Sequence, residues 1–290
     1  MKQLDKLILG SNPFEGVGYL SREQTRHYQE FFSHKENIIP ILEASYNLGV
    51  KTFTASNNEQ VMGALKEFKH SNDLKILPVV PNAYEYARDS TDKGVLGTVL
   101  HKAKQIDVYR KLRLGLRALT KIQGILSKDM VTLLTSLLDF ELSTFRHYNV
   151  QGIILHGQVT DLALSSDNKE LLNVYINLVQ EQYKATPIVA THNFGLLLRK
   201  LKEWNIKTPV MGPVNKKGFM MKPSQEEVLQ LIEETESTIL AKKVLAGGRL
   251  TPEEALPFLL GKKIGSVVIG IGSLSEAYHT LSVAKQTLQV

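Results

Sequence analysis

The stretch that decides the fold is Val150-Gln151-Gly152-Ile153-Ile154-Leu155-His156-Gly157-Gln158. A short apolar run ends abruptly at a histidine and a glycine, the pattern of a buried strand entering a polar loop. The same motif, an apolar run followed by a polar turn and an amphipathic helix, repeats along the chain.

Upstream, Leu7-Ile8-Leu9-Gly10 reads as the first strand, ending in the turn formers Ser11-Asn12-Pro13-Phe14-Glu15-Gly16. A helix over Ile38 to Leu48, stopped by Gly49, leads to a second strand, Val50 to Ala55, and the loop Ser56-Asn57-Asn58. A helix over Glu59 to Lys69 precedes the third strand, Leu74 to Val80, which closes at Pro81-Asn82. Ser127 caps a helix over Lys128 to Tyr148, and Gln151 to Leu155 is the fourth strand.

Downstream, a helix over Asp167 to Lys184 precedes a fifth strand, Pro187 to Ala190, that ends at Thr191-His192-Asn193. Phe194 to Trp204 is helical, and Thr208 to Met211 is the sixth strand, entering the loop Gly212 to Gly218 with Asn215, Lys216 and Lys217. Ser224 caps the next helix, with Glu227 in capping-box position. Thr238 to Leu245 is the seventh strand, ending at Ala246-Gly247-Gly248-Arg249. Thr251 and Glu254 cap another helix, with Pro252 at its first position. Ser266 to Ile269 is the eighth strand, and Gly270-Ile271-Gly272-Ser273 opens the last helix, Ser275 to Lys285.

Strand–helix alternation argues for a parallel α/β sheet. Eight units in 290 residues favour closure into a single (β/α)8 TIM barrel over an open, doubly wound sheet. No linker divides residues 1–290, so one domain is expected. The rhythm breaks once, at a helical insertion after the third strand, Ala83 to Leu126. There Tyr109, Leu112, Leu116 and Leu119 mark one helical face, and Arg110, Arg113, Arg117 and Lys121 the other. An insertion after a strand lies on the active-site side of a barrel, so this one reads either as a basic lid or as a helix docked on the rim with a solvated face.

Composition narrows the function classes. The absence of cysteine removes disulfides, thiolate nucleophiles and cysteine metal ligands. With neither a signal-peptide pattern after Met1 nor an apolar run of membrane length, a cytoplasmic protein without membrane attachment is expected. The net charge of +6 fits an anionic ligand or a lysine-rich solvated surface. A single tryptophan and the lack of interleaved aromatic and basic residues give nucleic-acid binding little support.

If the barrel closes, its strand ends bring together Asn12, Glu15, Ser56, Asn57, Asn82, His156, His192, Asn193, Asn215, Lys216, Arg249 and Ser273. His156 and His192 end neighbouring strands and suit an acid–base pair or two metal ligands, with Glu15 or Asp161 as a third. Gly270 and Gly272 with Ser273, beside Gly247-Gly248-Arg249, offer backbone N–H groups at a helix start and suit a phosphate. Lys216 and Lys217 suit a Schiff base or an anion, although two adjacent lysines cannot share one pocket. Asn12, Asn57, Asn82, Tyr84 and Lys216 are the candidates for substrate contact.

These motifs resemble the aldo-keto reductases. Val50 to Ala55 is similar to their second strand, Val150 to Asp161 to their fourth with its terminal histidine, and Thr191-His192-Asn193-Phe194 to the turn after their fifth. Leu245 to Leu250 and Val267 to Ser273 resemble the turns that hold the cofactor phosphates. The resemblance implies NADP or NAD as cofactor, held through Asn193, Gly247, Gly248, Arg249, Gly270, Gly272 and Ser273. Of the family's Asp, Tyr, Lys, His tetrad, only the histidine carries over, as His156. Thr54 stands at the aspartate position, Ser56-Asn57-Asn58 lacks the tyrosine, and Pro81-Asn82 replaces the lysine. Three readings stay open: a nicotinamide-binding oxidoreductase, which the phosphate turns favour; a lyase or isomerase of a small anionic metabolite using His156 and His192; and a non-catalytic barrel binding through its basic helix.

Overall fold

The apolar runs form eight parallel strands, as a short buried run with β-branched residues should. In the computed structural model they are β1 (Leu7–Gly10), β2 (Thr52–Ala55), β3 (Lys75–Val80), β4 (Gly152–Leu155, led in by Asn149–Val150), β5 (Thr186–Ala190), β6 (Val210–Pro213), β7 (Ile239–Lys242) and β8 (Ile264–Gly270). Each pairs with its successor, and β8 returns to β1 with Leu7 opposite Val267 and Gly10 opposite Gly270. The sheet is thus a closed (β/α)8 barrel, as the alternation predicts. The structure describes residues 4–81 and 130–290, with the backbone alone over 130–133. The expected insertion, with Arg110, Arg113 and Arg117, lies outside the described residues, as do Asn82 and Tyr84.

Side chains alternate across each strand. Ile8, Leu77, Ile154, Ile188, Ala190, Met211, Leu240 and Val268 fill the barrel interior. Leu9, Phe53, Ile76, Ile153, Val189, Val210, Ile239 and Val267 face outward into the layer between sheet and helices. That layer is closed by α1 (Arg22–Phe31), α2 (Ile39–Asn47), α3 (Glu59–Glu67), α4 (Met130–Leu142), α5 (Gly157–Ser165), α6 (Lys169–Glu181), α7 (Phe194–Glu203), α8 (Gln225–Glu234), α9 (Pro252–Ala255) and α10 (Leu274–Leu288). No helix among the described residues is long and apolar enough to cross a membrane. At the end of the barrel where strands begin, Asp5 accepts from Thr52 (2.6 Å) and pairs with Lys75 (2.7 Å).

The structure departs from the sequence reading at several boundaries. Helix α1 has no buried residue, so it carries no apolar stripe to find; Ser21 nonetheless caps it, accepting from the Gln24 N–H at 3.0 Å. Helix α5 begins directly after His156, within a segment read as loop. Strand β6 lies two residues later than expected, at Val210–Pro213. Strand β7 stops at Lys242 rather than Leu245, because Lys243 adopts a φ of 56° and leaves the extended conformation. Thr251 and Glu254 form the full capping box. At Ser224 only half forms: its hydroxyl accepts from the Glu227 N–H (3.2 Å), while the Glu227 carboxylate pairs with Arg199 instead.

Tyr175 on α6 ties the helix layer to the sheet. Its fully buried hydroxyl donates to the Ile153 carbonyl on β4 and accepts from the Ile188 N–H on β5 at 3.4 Å. Tyr175→Phe removes a partner from buried backbone groups, which costs about 1–3 kcal/mol. A lowered urea midpoint with an unchanged slope is the expected result.

Candidate active site

The two-residue period continues past the ends of β4 and β5 and reaches the last residue of β7. Ile154 faces the interior, and so does His156; Ala190 leads to His192; Leu240 leads to Lys242. All three polar side chains line one cavity of about 860 Å³ at the C-terminal mouth of the barrel. Its polar lining also includes Thr54 on β2, Asn12, Glu15 and Tyr19 from the loop after β1, Lys243 after β7, and Glu276 on α10. A barrel gathers such groups because all eight strands end on one face.

Asp161, one turn into α5, orients His192. Its Oδ2 lies 2.8 Å from His192 Nδ1, and it accepts from the His192 backbone N–H at 3.2 Å and from the Thr191 hydroxyl at 2.5 Å. Burial alone would raise the Asp161 carboxyl, but the hydrogen bonds from His192 and Thr191 outweigh it and hold the group below the usual carboxylate range. A carboxylate can only accept, so it fixes the proton on His192 Nδ1 and leaves Nε2 available to the cavity. Gly157 makes this approach possible, since a Cβ there would lie 2.8 Å from the His192 ring.

His156 caps α5, its Nδ1 accepting from the Gln158 N–H at 3.3 Å. Burial first, then the charges of Lys242 and His192, lower its pKa to about 4, with Asp161 opposing. Burial also lowers Lys242 to about 7, helped by the charge of Lys243 and opposed by Asp161. Lys243 falls to about 8 through burial. Its Nζ stands 4.2 Å from the centre of the Tyr19 ring and 3.0 Å from Met220 Sδ.

Of the residues expected from sequence, His156, His192, Asn12, Gly247, Gly248 and Gly270 meet at this cavity. Asn12 donates to the Tyr19 hydroxyl at 2.6 Å. Asn57, Asn193, Lys216, Arg249, Gly272 and Ser273 do not line it. Lys216 is exposed, and Asn193 uses its N–H on the Thr191 hydroxyl at 2.9 Å. Arg249 lays its guanidinium 4.2 Å from the Phe219 ring centre and donates to the Ala246 carbonyl at 3.1 Å. The Gly272 N–H donates to Glu276 Oε2 at 2.7 Å, and Ser273 caps α10 by accepting from the Glu276 N–H at 3.2 Å. Among the described residues, no group of three or more histidine and acidic side chains is placed to hold a metal ion. Sequence reasoning passed over Lys242, Lys243 and Tyr19. The available signal was the lysine two positions after Leu240, which keeps the inward phase of an otherwise apolar strand.

No protein-family model matches the chain, and no curated protein matches it by sequence. Solved structures do. PA4992 of Pseudomonas aeruginosa, provisionally described as an aldo-keto reductase, is similar with a TM-score of 0.55 at 16% identity, over 97% of this chain and 90% of its own. A point mutant of Gox0644 in complex with NADPH is similar with a TM-score of 0.51 at 10% identity, over 98% of this chain and 87% of its own. The barrel is therefore aldo-keto-reductase-like in fold. At such identity the likeness speaks for the fold alone.

The electrostatics carry a pH signature. A neutral, half-buried His156 gives stability that is fully present above the unfolded histidine pKa, about 6.5, and is lost as pH falls toward about 4. His156→Gln should flatten the stability profile across that window, measured as urea midpoints at stepped pH. Histidine ring NMR of the unaltered chain should place the His156 titration near 4.

Proposed function

We propose that this protein is a lyase or isomerase of a small anionic metabolite, working by proton transfer at the barrel mouth. The observation that carries this reading is the Asp161–His192 pair, aimed into a cavity that also holds a neutral His156 and two lysines. A carboxylate-oriented imidazole is built to take and return a proton. Two imidazoles in unlike environments suit unlike tasks: His192 as the base, and His156 as a neutral donor through Nε2. Lys243 supplies positive potential that draws an anion to the mouth.

A second reading keeps the nicotinamide cofactor of the resemblance. It is favoured by the fold shared with a protein solved in complex with NADPH and by a cavity of sufficient size. The turn after β8 opposes it. The N–H a cofactor phosphate would use is already taken by the Glu276 carboxylate, and Arg249 is committed to Phe219. The tetrad positions on β2 and its following loop also lack the reductase groups. The residues present fit proton transfer better than they fit a dinucleotide.

Thermal unfolding with small phosphate esters and carboxylates, run beside NADPH, NADH and divalent metals, separates the readings. Anionic metabolites should raise the midpoint by several degrees near saturation. The stabilising metabolite should exchange carbon-bound hydrogen with D2O, and His192→Ala should slow that exchange by about 10²–10⁴. Stabilisation by NADPH alone would sink the proposal in favour of the second reading.

A further inference from the structure

The cavity contains a nucleophile that the proton-transfer chemistry leaves unused. We infer that Lys242 condenses with the carbonyl group of an aldehyde or ketone substrate, forming a covalent imine within the barrel. This rests on the proton-transfer reading and names its substrate class.

Geometry separates Lys242 from the other lysines near the mouth. It is the last residue of β7 and continues the inward phase of Leu240, so its stem rises from the barrel interior into the cavity. Among the described residues its Nζ makes no ion pair and no hydrogen bond, while its backbone carbonyl accepts from the Val214 N–H at 3.1 Å. The titratable groups around it are Lys243 next in the chain, His156 just after β4, and Asp161 on α5, with His192 just after β5 at the same mouth. Lys243 is held over the Tyr19 ring and against Met220. Lys216 and Lys217 are exposed on the loop after β6. An enclosed lysine beside a second cation keeps a substantial neutral fraction at physiological pH, and the neutral amine is the nucleophile.

The step balances without a further reactant. The Lys242 Nζ lone pair forms a C–N bond to the carbonyl carbon, and the carbonyl π pair moves to oxygen, which takes a proton. The nitrogen gives up one of its own protons, and it then closes the C=N bond as that oxygen, now carrying two protons, leaves as water. One ammonium-free amine, one carbonyl and one proton give one iminium and one water. The iminium accepts the electron pair released when an adjacent C–H or C–C bond breaks, and His192 Nε2 takes or returns the proton concerned. Hydrolysis reverses the first steps and frees Lys242.

Reductive trapping tests this. The full chain is incubated near neutral pH with pyruvate or glycolaldehyde and sodium cyanoborohydride, then read by intact mass and peptide mapping. Label should accumulate on Lys242 roughly tenfold or more faster than on exposed Lys216, because an ordinary lysine is almost wholly protonated there. Lys242→Arg should remove the fast label while circular dichroism shows the fold retained. Lys243→Met should move the pH midpoint of labelling upward by taking away a neighbouring charge. Label spread over exposed lysines with Lys242 no faster than Lys216 would overturn the inference. If Lys242→Arg does not fold, the map of the unaltered chain decides. Labelling does not require His192, so His192→Ala should keep the Lys242 adduct while losing hydrogen exchange. Failure to label alongside retained anion stabilisation and exchange refutes the imine alone, whereas labelling without exchange refutes the proton-transfer reading alone.

Discussion

Parallel pairing of β8 with β1 closes the sheet, and the site depends on that closure. Once the ring is shut, every second side chain on every strand points at one axis. Over most of the height those side chains are apolar, and they pack into an interior core of Ile8, Leu77, Ile154, Ile188, Met211, Leu240 and Val268. At the C-terminal rim the same geometry delivers His156, His192 and Lys242 to a shared volume. There both groups are shielded from water, and that burial, with neighbouring positive charge second, is why His156 and Lys242 depart so far from their ordinary titration.

The rim is kept from collapse by groups that are not themselves reactive. Asp161 is placed by α5, whose start is capped by His156, so the two imidazoles are tied to one helix even though they end different strands. Gly157 leaves room for the His192 ring, and Thr191, wholly buried, adds a second hydrogen bond to Asp161. On the other side, Asn12 and Tyr19 bond to each other, and Tyr19 carries Lys243 on its ring face. Such support orients His192 and Lys243 at the rim.

An aldo-keto-reductase-like barrel with this lining illustrates how scaffold and chemistry separate. The fold is similar to that of structures with 16% identity or less. Packing of alternating apolar residues sets that fold, and many sequences satisfy it. The groups lining the mouth answer to a different constraint, the identity of a few side chains at strand ends. Here those are His156 just after β4, His192 just after β5 and Lys242 at the end of β7.

The alternation of apolar runs with amphipathic helices determined the barrel by itself, since period and count leave little freedom in how eight such units bury their faces. It also marked His156 and His192, because each breaks an apolar run abruptly at a polar turn. Lys242 was hidden by an apolar continuation: Val244 and Leu245 prolong the pattern of Ile239 to Ala241, and nothing local reveals that Lys243 turns to positive φ and ends the strand. The glycine turns showed the opposite difficulty. Gly272 advertises a free N–H in sequence, and only the folded chain brings Glu276 back to occupy it. Periodicity reports which face a residue presents; which groups share that face, and which are already satisfied, depends on contacts between elements far apart in the chain.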